Sequence, residues 1–215
     1  MNWLLTILTF LPLVGVLAIL LLKESEDGSN RNTIKLIAIA TSAVTFVVSL
    51  LVLLRFDATN PALQLVDRVD WIPSWGISYF LGIDGLSILM VLLTTFISLL
   101  AIAGSWTAIE TQLKQYYIFM LLLETGMLGV FLAQDLFLFY VFWEFTLIPM
   151  YFLIGIWGGS RRVYASIKFF LYTMAGSLLM LVAILYMGIT NGTFAVPDLI
   201  AGRDAFAHAQ NALFI

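Results

Sequence analysis

Cysteine is absent from the 215 residues, and histidine occurs once, at His208. Without thiols there is no disulfide framework and no thiolate metal site. A single histidine excludes a His-cluster metal centre within this stretch. Charge is scarce as well: Asp, Glu, Lys and Arg together make up 11% of the chain, against about 25% in a soluble domain. The net charge of −3 is too small to indicate nucleic acid or an acidic partner. No Gly-rich phosphate loop, Ser/His/Asp set or short-period repeat occurs.

What the sequence has is apolar surface, 62% of its residues. Six runs are long enough to cross a bilayer, which takes about 20 apolar residues: roughly 3–22, 33–54, 84–106, 115–133, 136–157 and 163–189. All are expected to be helices, because lipid offers no partner to an open strand edge. The fold class is therefore all-α, a polytopic membrane protein with six transmembrane helices. The first run is too long for a signal peptide, and no basic residue precedes it. Breakers separate the runs: "ESEDGSNRN", a stretch over 55–83 with three Asp and two Pro, "GGSRR" and "NGTFAVPD". The chain stops at "AHAQNALFI", the opening of another apolar run, and is expected to be an N-terminal fragment of something longer.

With the N-terminus outside, the inner segments carry Lys23, Arg31, Lys35, Lys114, Arg161 and Arg162, and the outer ones Arg55, Arg68 and Arg203. Six against three favours that orientation under the positive-inside rule. Trp71 and Trp75 then belong to an outer interfacial belt, and Trp157 lies near the inner surface.

Three ionisable residues fall well inside the runs: Glu124, Glu144 and Lys168. Each costs roughly 2.5–3.5 kcal/mol to insert at a helix centre, so each is a functional candidate. The plainer alternatives are a protonated carboxyl that hydrogen-bonds a neighbouring helix and a lysine that snorkels to the inner face. Glu144 sits about nine residues into its helix, some ~13 Å from the outer end and near the midplane. Glu124 is a similar distance from the end of the preceding helix, across the turn at Gln134 and Asp135. The two carboxylates can thus lie at similar depth on adjacent antiparallel helices, where burial and mutual repulsion let one hold a proton at neutral pH. Lys168 is only ~9 Å from the inner end of its helix and is not level with Glu144.

Pro149 removes the usual donor to the carbonyl of Phe145, so a kink is expected beside Glu144, where a freed carbonyl can hold water. A packing kink is the alternative. Gly126 and Gly129, and Gly176 with Ser177, allow close helix approach. Asp84 can cap the third helix, with Gly82 and Gly85 relaxing its start, and Ser160 can cap the sixth.

"ETGMLGVFLAQDLFLFYVFWEFTLIPMYFLIGIWGG" (124–159), "SIKFFLYTMAGSLLMLVAILY" (166–186) and "FLGIDGLSILMVLLT" (80–94) together resemble the antiporter-like proton-translocating subunits of respiratory complex I, of the chain M type. The similarity covers most of 80–190, with several motifs in order at compatible spacing; residues 1–79 match only as hydrophobic helices. The resemblance implies about fourteen helices in a full chain, with two inverted five-helix repeats that begin at the fourth. It divides this stretch into 1–112, helices one to three with the outer loop, and 113–215, the opening of the first repeat. Glu144 corresponds to the family's fifth-helix glutamate. Its lysine partner is expected beyond Ile215, on a broken seventh helix. Lys168 falls in the family's "KFF-YT" pattern, and Glu124 is matched less closely.

The resemblance further implies proton translocation through Glu144, driven by quinone reduction elsewhere, with Glu124 and Lys168 as additional candidate residues of the path; Lys168 is not the partner of Glu144. The redox cofactors (NAD, FMN, iron–sulfur clusters and quinone) belong to partner subunits and none to this chain. The expected partners are the other membrane-arm subunits, the lipid bilayer and protons, and the expected location is the bacterial plasma membrane. Two alternatives stay open: a subunit of a multisubunit cation/proton antiporter or membrane-bound hydrogenase, and a scaffold that pumps nothing.

Overall fold

A computed structural model of the chain describes residues 3–22 and 30–201. Lys23, Arg203 and His208 lie outside the described residues, as does the "AHAQNALFI" end. Among the described residues, six helices are long and apolar enough to span a membrane. They are α1 (Leu4–Leu21), α2 (Arg31–Arg55), α3 (Gly85–Gly104), α4 (Leu113–Leu132), α5 (Leu136–Trp157) and α6 (Arg162–Asn191). Each runs within two residues of the apolar stretch that predicts it. A short helix, α7 (Val196–Ala201), follows α6 and has no counterpart in the sequence reading.

The stretch 55–83 is more than a breaker. It holds an antiparallel hairpin, β1 (Gln64–Ile72) and β2 (Ile77–Ile83), joined through a turn at Pro73–Trp75 and Gly76. Gly76 has φ +69°, the left-handed conformation such a turn needs. The rule against open strand edges in lipid still holds, because this hairpin caps the helix bundle and β2 has a partner on its free side. Phe80 O accepts from Gln134 N at 2.8 Å, and Leu81 pairs with Ala133. The 133–136 segment in turn pairs with 194–196 through Leu136 N to Phe194 O and Val196 N to Gln134 O.

Two buried aspartates fasten this cap. Asp67 of β1 accepts from Trp3 N at 2.9 Å, Thr6 N at 3.1 Å and Thr6 Oγ1 at 3.0 Å, so it satisfies the first turn of α1 from sixty residues away. Asp135 caps α5 by accepting from Phe137 N and Leu138 N on Oδ1, while Oδ2 takes the Ser78 amide and hydroxyl. At the start of α3, Asp84 and Ser87 form the reciprocal capping box. Gly82 serves close packing, since a Cβ there would lie 2.5 Å from the Leu63 side chain, and Gly85 faces open space. Ser160 does not cap α6: the flanking residue is Arg161, with no side-chain cap.

At the opposite end the connections are short. Lys114 Nζ donates to the α1 carbonyls of Leu20 (3.2 Å) and Leu22 (2.7 Å), a cation at a helix C-terminus. Lys35 donates to Trp106 O, Arg31 to Glu110 O, and Trp157 Nε1 to Thr111 O. Most of the basic residues therefore gather at this end, with Arg55 and Arg68 at the hairpin end beside exposed Trp71 and Trp75. Helices α1 to α4 pack on one another, α5 packs on α4, and α6 on α5.

Candidate functional site

The interior of α1–α4 is built in three tiers. Toward the hairpin lies an apolar cluster that includes Leu5, Leu8, Val52, Ile88, Val91, Leu128 and Leu132. Toward the other end lies a second, with Val16, Ile19, Ile34, Ala38, Ile102, Tyr117 and Leu121. Between them, on all four helices, the buried residues turn polar: Thr9 on α1; Ser42, Thr45 and Ser49 on α2; Thr94, Thr95 and Ser98 on α3; Glu124 and Thr125 on α4. Several hydroxyls are spent on their own helix, as Thr45 to Thr41 O and Thr125 to Leu121 O. Ser49 and Thr95 bridge α2 and α3 at 2.9 Å.

Glu124 is the one carboxyl in this layer, and it is fully buried. Its Oε1 lies 3.4 Å from the Ser42 hydroxyl, and its Oε2 has no hydrogen-bond partner among the described residues. The layer holds no basic side chain, and the Arg68–Asp198 contact near the hairpin is the ion pair found among the described residues.

Glu144 lies on α5, which packs antiparallel to α4 at close range. A Cβ on Gly126 would come within 2.7 Å of Thr146, Gly129 sits directly against the Phe142 ring, and Phe119 stacks on Phe152 at 4.8 Å. These pairs set the register. They put Glu124 level with residues 147–148 and thus about one helical turn, ~5 Å, from the height of Glu144. Similar depth holds, but the two carboxyls face different helices: Glu124 toward α2, Glu144 toward α6.

Around Glu144 the neighbours are Tyr140, one turn earlier on α5, and beside Tyr140 the hydroxyl of Ser177 on α6, which donates to Met174 O at 3.1 Å and so is free only to accept. Glu144 Oε1 is buried without a hydrogen-bond partner among the described residues. Pro149 is buried within α5, which is helical on both sides of it. The Thr146 hydroxyl, between Glu144 and Pro149, bonds Trp143 O at 2.7 Å. Tyr151–Phe170 and Gly155–Ser166 contacts place Ser177 at the height of Glu144. Lys168 comes nine residues earlier on α6, about 13 Å toward the basic end. It is exposed, with Nζ 5.8 Å from the Tyr164 ring centre, and does not meet Glu144. Gly176 has no neighbour for a Cβ among the described residues, so it takes no part in close helix approach here.

Sequence reasoning missed Ser42, Tyr140 and Asp135. An Asp directly before an apolar helix is an N-cap signal that could have flagged Asp135. Among the described residues no group of three or more His, Cys, Asp or Glu side chains is placed to hold a metal ion.

Residues 133–215 match the domain family described as NADH:quinone oxidoreductase/Mrp antiporter, TM. Subunit M of NADH-quinone oxidoreductase from Rhodobacter capsulatus is 47% identical over 210 residues, which are 98% of this chain and 40% of that one. Subunit M from Rickettsia conorii is 41% identical over 179 residues, 83% and 36% respectively. The chain belongs to this family of NADH:quinone oxidoreductase/Mrp antiporter membrane subunits.

The fold agrees. A chain of respiratory complex I from Thermus thermophilus with bound NADH superposes with a TM-score of 0.75 at 28% identity, covering 92% of this chain and 39% of that one. A chain of the Mrp complex from a Dietzia species shares the fold, with a TM-score of 0.74 at 23% identity over 91% of this chain and 20% of its own. Family membership and the six apolar helices make this a multi-pass protein of the bacterial plasma membrane. It spans about two fifths of the length of these curated relatives.

Proposed function

We propose that this chain is part of a membrane-arm subunit of NADH:quinone oxidoreductase that carries protons across the membrane. Glu144 is the exchanging carboxyl. One observation carries the reading: a mid-membrane carboxyl with a buried, unpaired oxygen, within reach of a phenol and beside a proline that frees a backbone carbonyl. Proton exchange at such a carboxyl is driven by a cation that approaches and withdraws. The family resemblance assigns that cation to a lysine outside this stretch. Tyr140 and Ser177 offer hydroxyls through which the proton leaves or reaches Glu144. Glu124, with Ser42, is a second carboxyl of the same path on the α2 side, and Lys168 adds a positive charge from the basic end.

In this reading the protons are moved by residues 113–215, the opening of the first repeat. NAD, FMN, iron–sulfur clusters and quinone sit in partner subunits, and the redox chemistry happens there. A second reading, a subunit of a cation/proton antiporter or related respiratory complex, draws on the shared fold of the Mrp chain and of a chain in an archaeal membrane-bound sulfane sulfur reductase (TM-score 0.76, 21% identity, 94% of this chain and 40% of that one).

Purification of the tagged full-length chain from its native membrane separates the two. The proposal expects co-purifying NADH:quinone reductase activity with FMN and iron–sulfur signals. Recovery with small antiporter subunits and no NADH oxidation would overturn it.

A further inference from the structure

At the basic end of the bundle, the last turn of α5 and the first turns of α6 enclose an open groove of about 760 Å³. Its lining contains Arg161, Arg162 and Lys168 and no carboxylate. Arg162 is already committed, donating to Ile156 O at 2.6 Å. Arg161 has no side-chain partner among the described residues. Lys168 follows Arg161 by seven residues, two turns along the same face of α6, and its ammonium reaches back over Tyr164 toward the helix start. Two cations thus line one face of the first turns of α6, whose start has no side-chain cap and whose free amides add a positive field of their own. A Cβ built on Gly159 would meet nothing within 4 Å, so the backbone there is open to a ligand.

The other wall of the groove is apolar. Phe169 and Tyr172 rise along α6 into the membrane-spanning part. Cations at a helix end, flanked by tyrosines and continued by an apolar track, match one kind of molecule in both halves.

We propose that this groove binds an anionic phospholipid, with its headgroup phosphate held by Arg161 and Lys168 at the start of α6 and an acyl chain lying along Phe169 and Tyr172. A soluble anion would use the cations and leave the apolar track unused; a zwitterionic lipid, with no net charge, would leave both positive charges unanswered, whereas an anionic lipid answers one of them. The inference does not depend on proton translocation and would hold equally for a scaffold.

The test is contact quenching in the full-length subunit, with a bimane label on a single cysteine at Ala165, inside the groove. The subunit is reconstituted in phosphatidylcholine vesicles that contain brominated phosphatidylglycerol or, at the same fraction, brominated phosphatidylcholine. Each basic side chain near an anionic headgroup contributes on the order of fivefold in association. The relative association constant read at Ala165 should therefore favour phosphatidylglycerol by about fivefold or more. Arg161→Gln and Lys168→Gln should each lower that preference about fivefold, and the double substitution should bring it close to parity. A label at Leu179, higher on α6 and away from the cations, should show no preference. Equal quenching by both lipids at Ala165, quenching by neither, or the same preference at Leu179 would overturn the site.

Discussion

Ser78 of β2 donates both its amide and its hydroxyl to one oxygen of Asp135, at 2.9 and 3.2 Å, while the other oxygen caps α5. One buried carboxyl thereby joins the hairpin to the helix that carries Glu144. Asp135→Ala would strand four donors in an apolar setting and should cost about 2–4 kcal/mol. The expected outcome is a marked fall in assembled complex on native gels. Asp135→Asn, which keeps a cap, should be milder. Normal assembly of Asp135→Ala would mean that the hairpin is held by other contacts.

The approach of α4 to α5 rests on Gly129, which has the Phe142 ring against it, whereas Gly176 on α6 has no neighbour within 4 Å of a Cβ among the described residues. Gly129→Ala forces the ring or the helix to move and should destabilise by about 1–3 kcal/mol. Gly176→Ala should be neutral or slightly stabilising. Thermal unfolding of the detergent-solubilised complex checks the pair, and equal effects would contradict the packing described.

Asp84, outside the spanning part of α3, is held below the usual carboxylate value chiefly by the hydrogen bond from the Ser87 amide, with burial as the main opposing effect and smaller contributions from the Ser87 hydroxyl and the Leu86 amide. A carboxyl that is more acidic in the folded state stabilises above its unfolded value and loses that contribution as pH falls through the folded one. The stability difference between wild type and Asp84→Ala should hold at pH 6 and shrink as pH drops below about 4. A difference that stays constant down that range would show that the ionised cap contributes nothing.

Orientation is checked with cysteines at Ser160 and Ser74, both exposed and at opposite ends of the bundle. The distribution of basic residues places Ser160 inside. In right-side-out vesicles an impermeant thiol reagent should label Ser74→Cys and spare Ser160→Cys. The reverse pattern would invert the orientation.

The helices were legible because a bilayer asks little of a sequence beyond about 20 apolar residues. The hairpin was not: with two prolines and scattered charges, 55–83 reads as loop, and its β2 edge is satisfied by Gln134, more than fifty residues on. Asp67 and Asp135 were unreadable as fasteners for the same reason, since their partners Trp3, Thr6 and Ser78 are remote in the chain. The polar layer was present in the sequence as Ser42, Thr45 and Ser49 on one face of α2. Hydroxyls within a helix usually bond their own backbone, so such a stripe carries little signal until Glu124 is seen beside it. Glu144 stood out at once, because an ionisable group in an apolar helix is costly.

Proton translocation by the intact parent complex carrying Glu144→Gln tests the central claim most directly. Glutamine keeps the shape and a hydrogen-bonding head but cannot exchange a proton, so packing around Tyr140 and Ser177 should survive while the relay stops. Proton uptake by membranes, normalised to assembled complex, should fall roughly tenfold or more, and the coupled quinone reduction should fall with it. Glu144→Asp should retain part of the activity, and Glu124→Gln should cost less than Glu144→Gln. Full proton uptake and full reductase rate in an assembled Glu144→Gln complex would leave Glu144 a structural carboxyl and contradict the account.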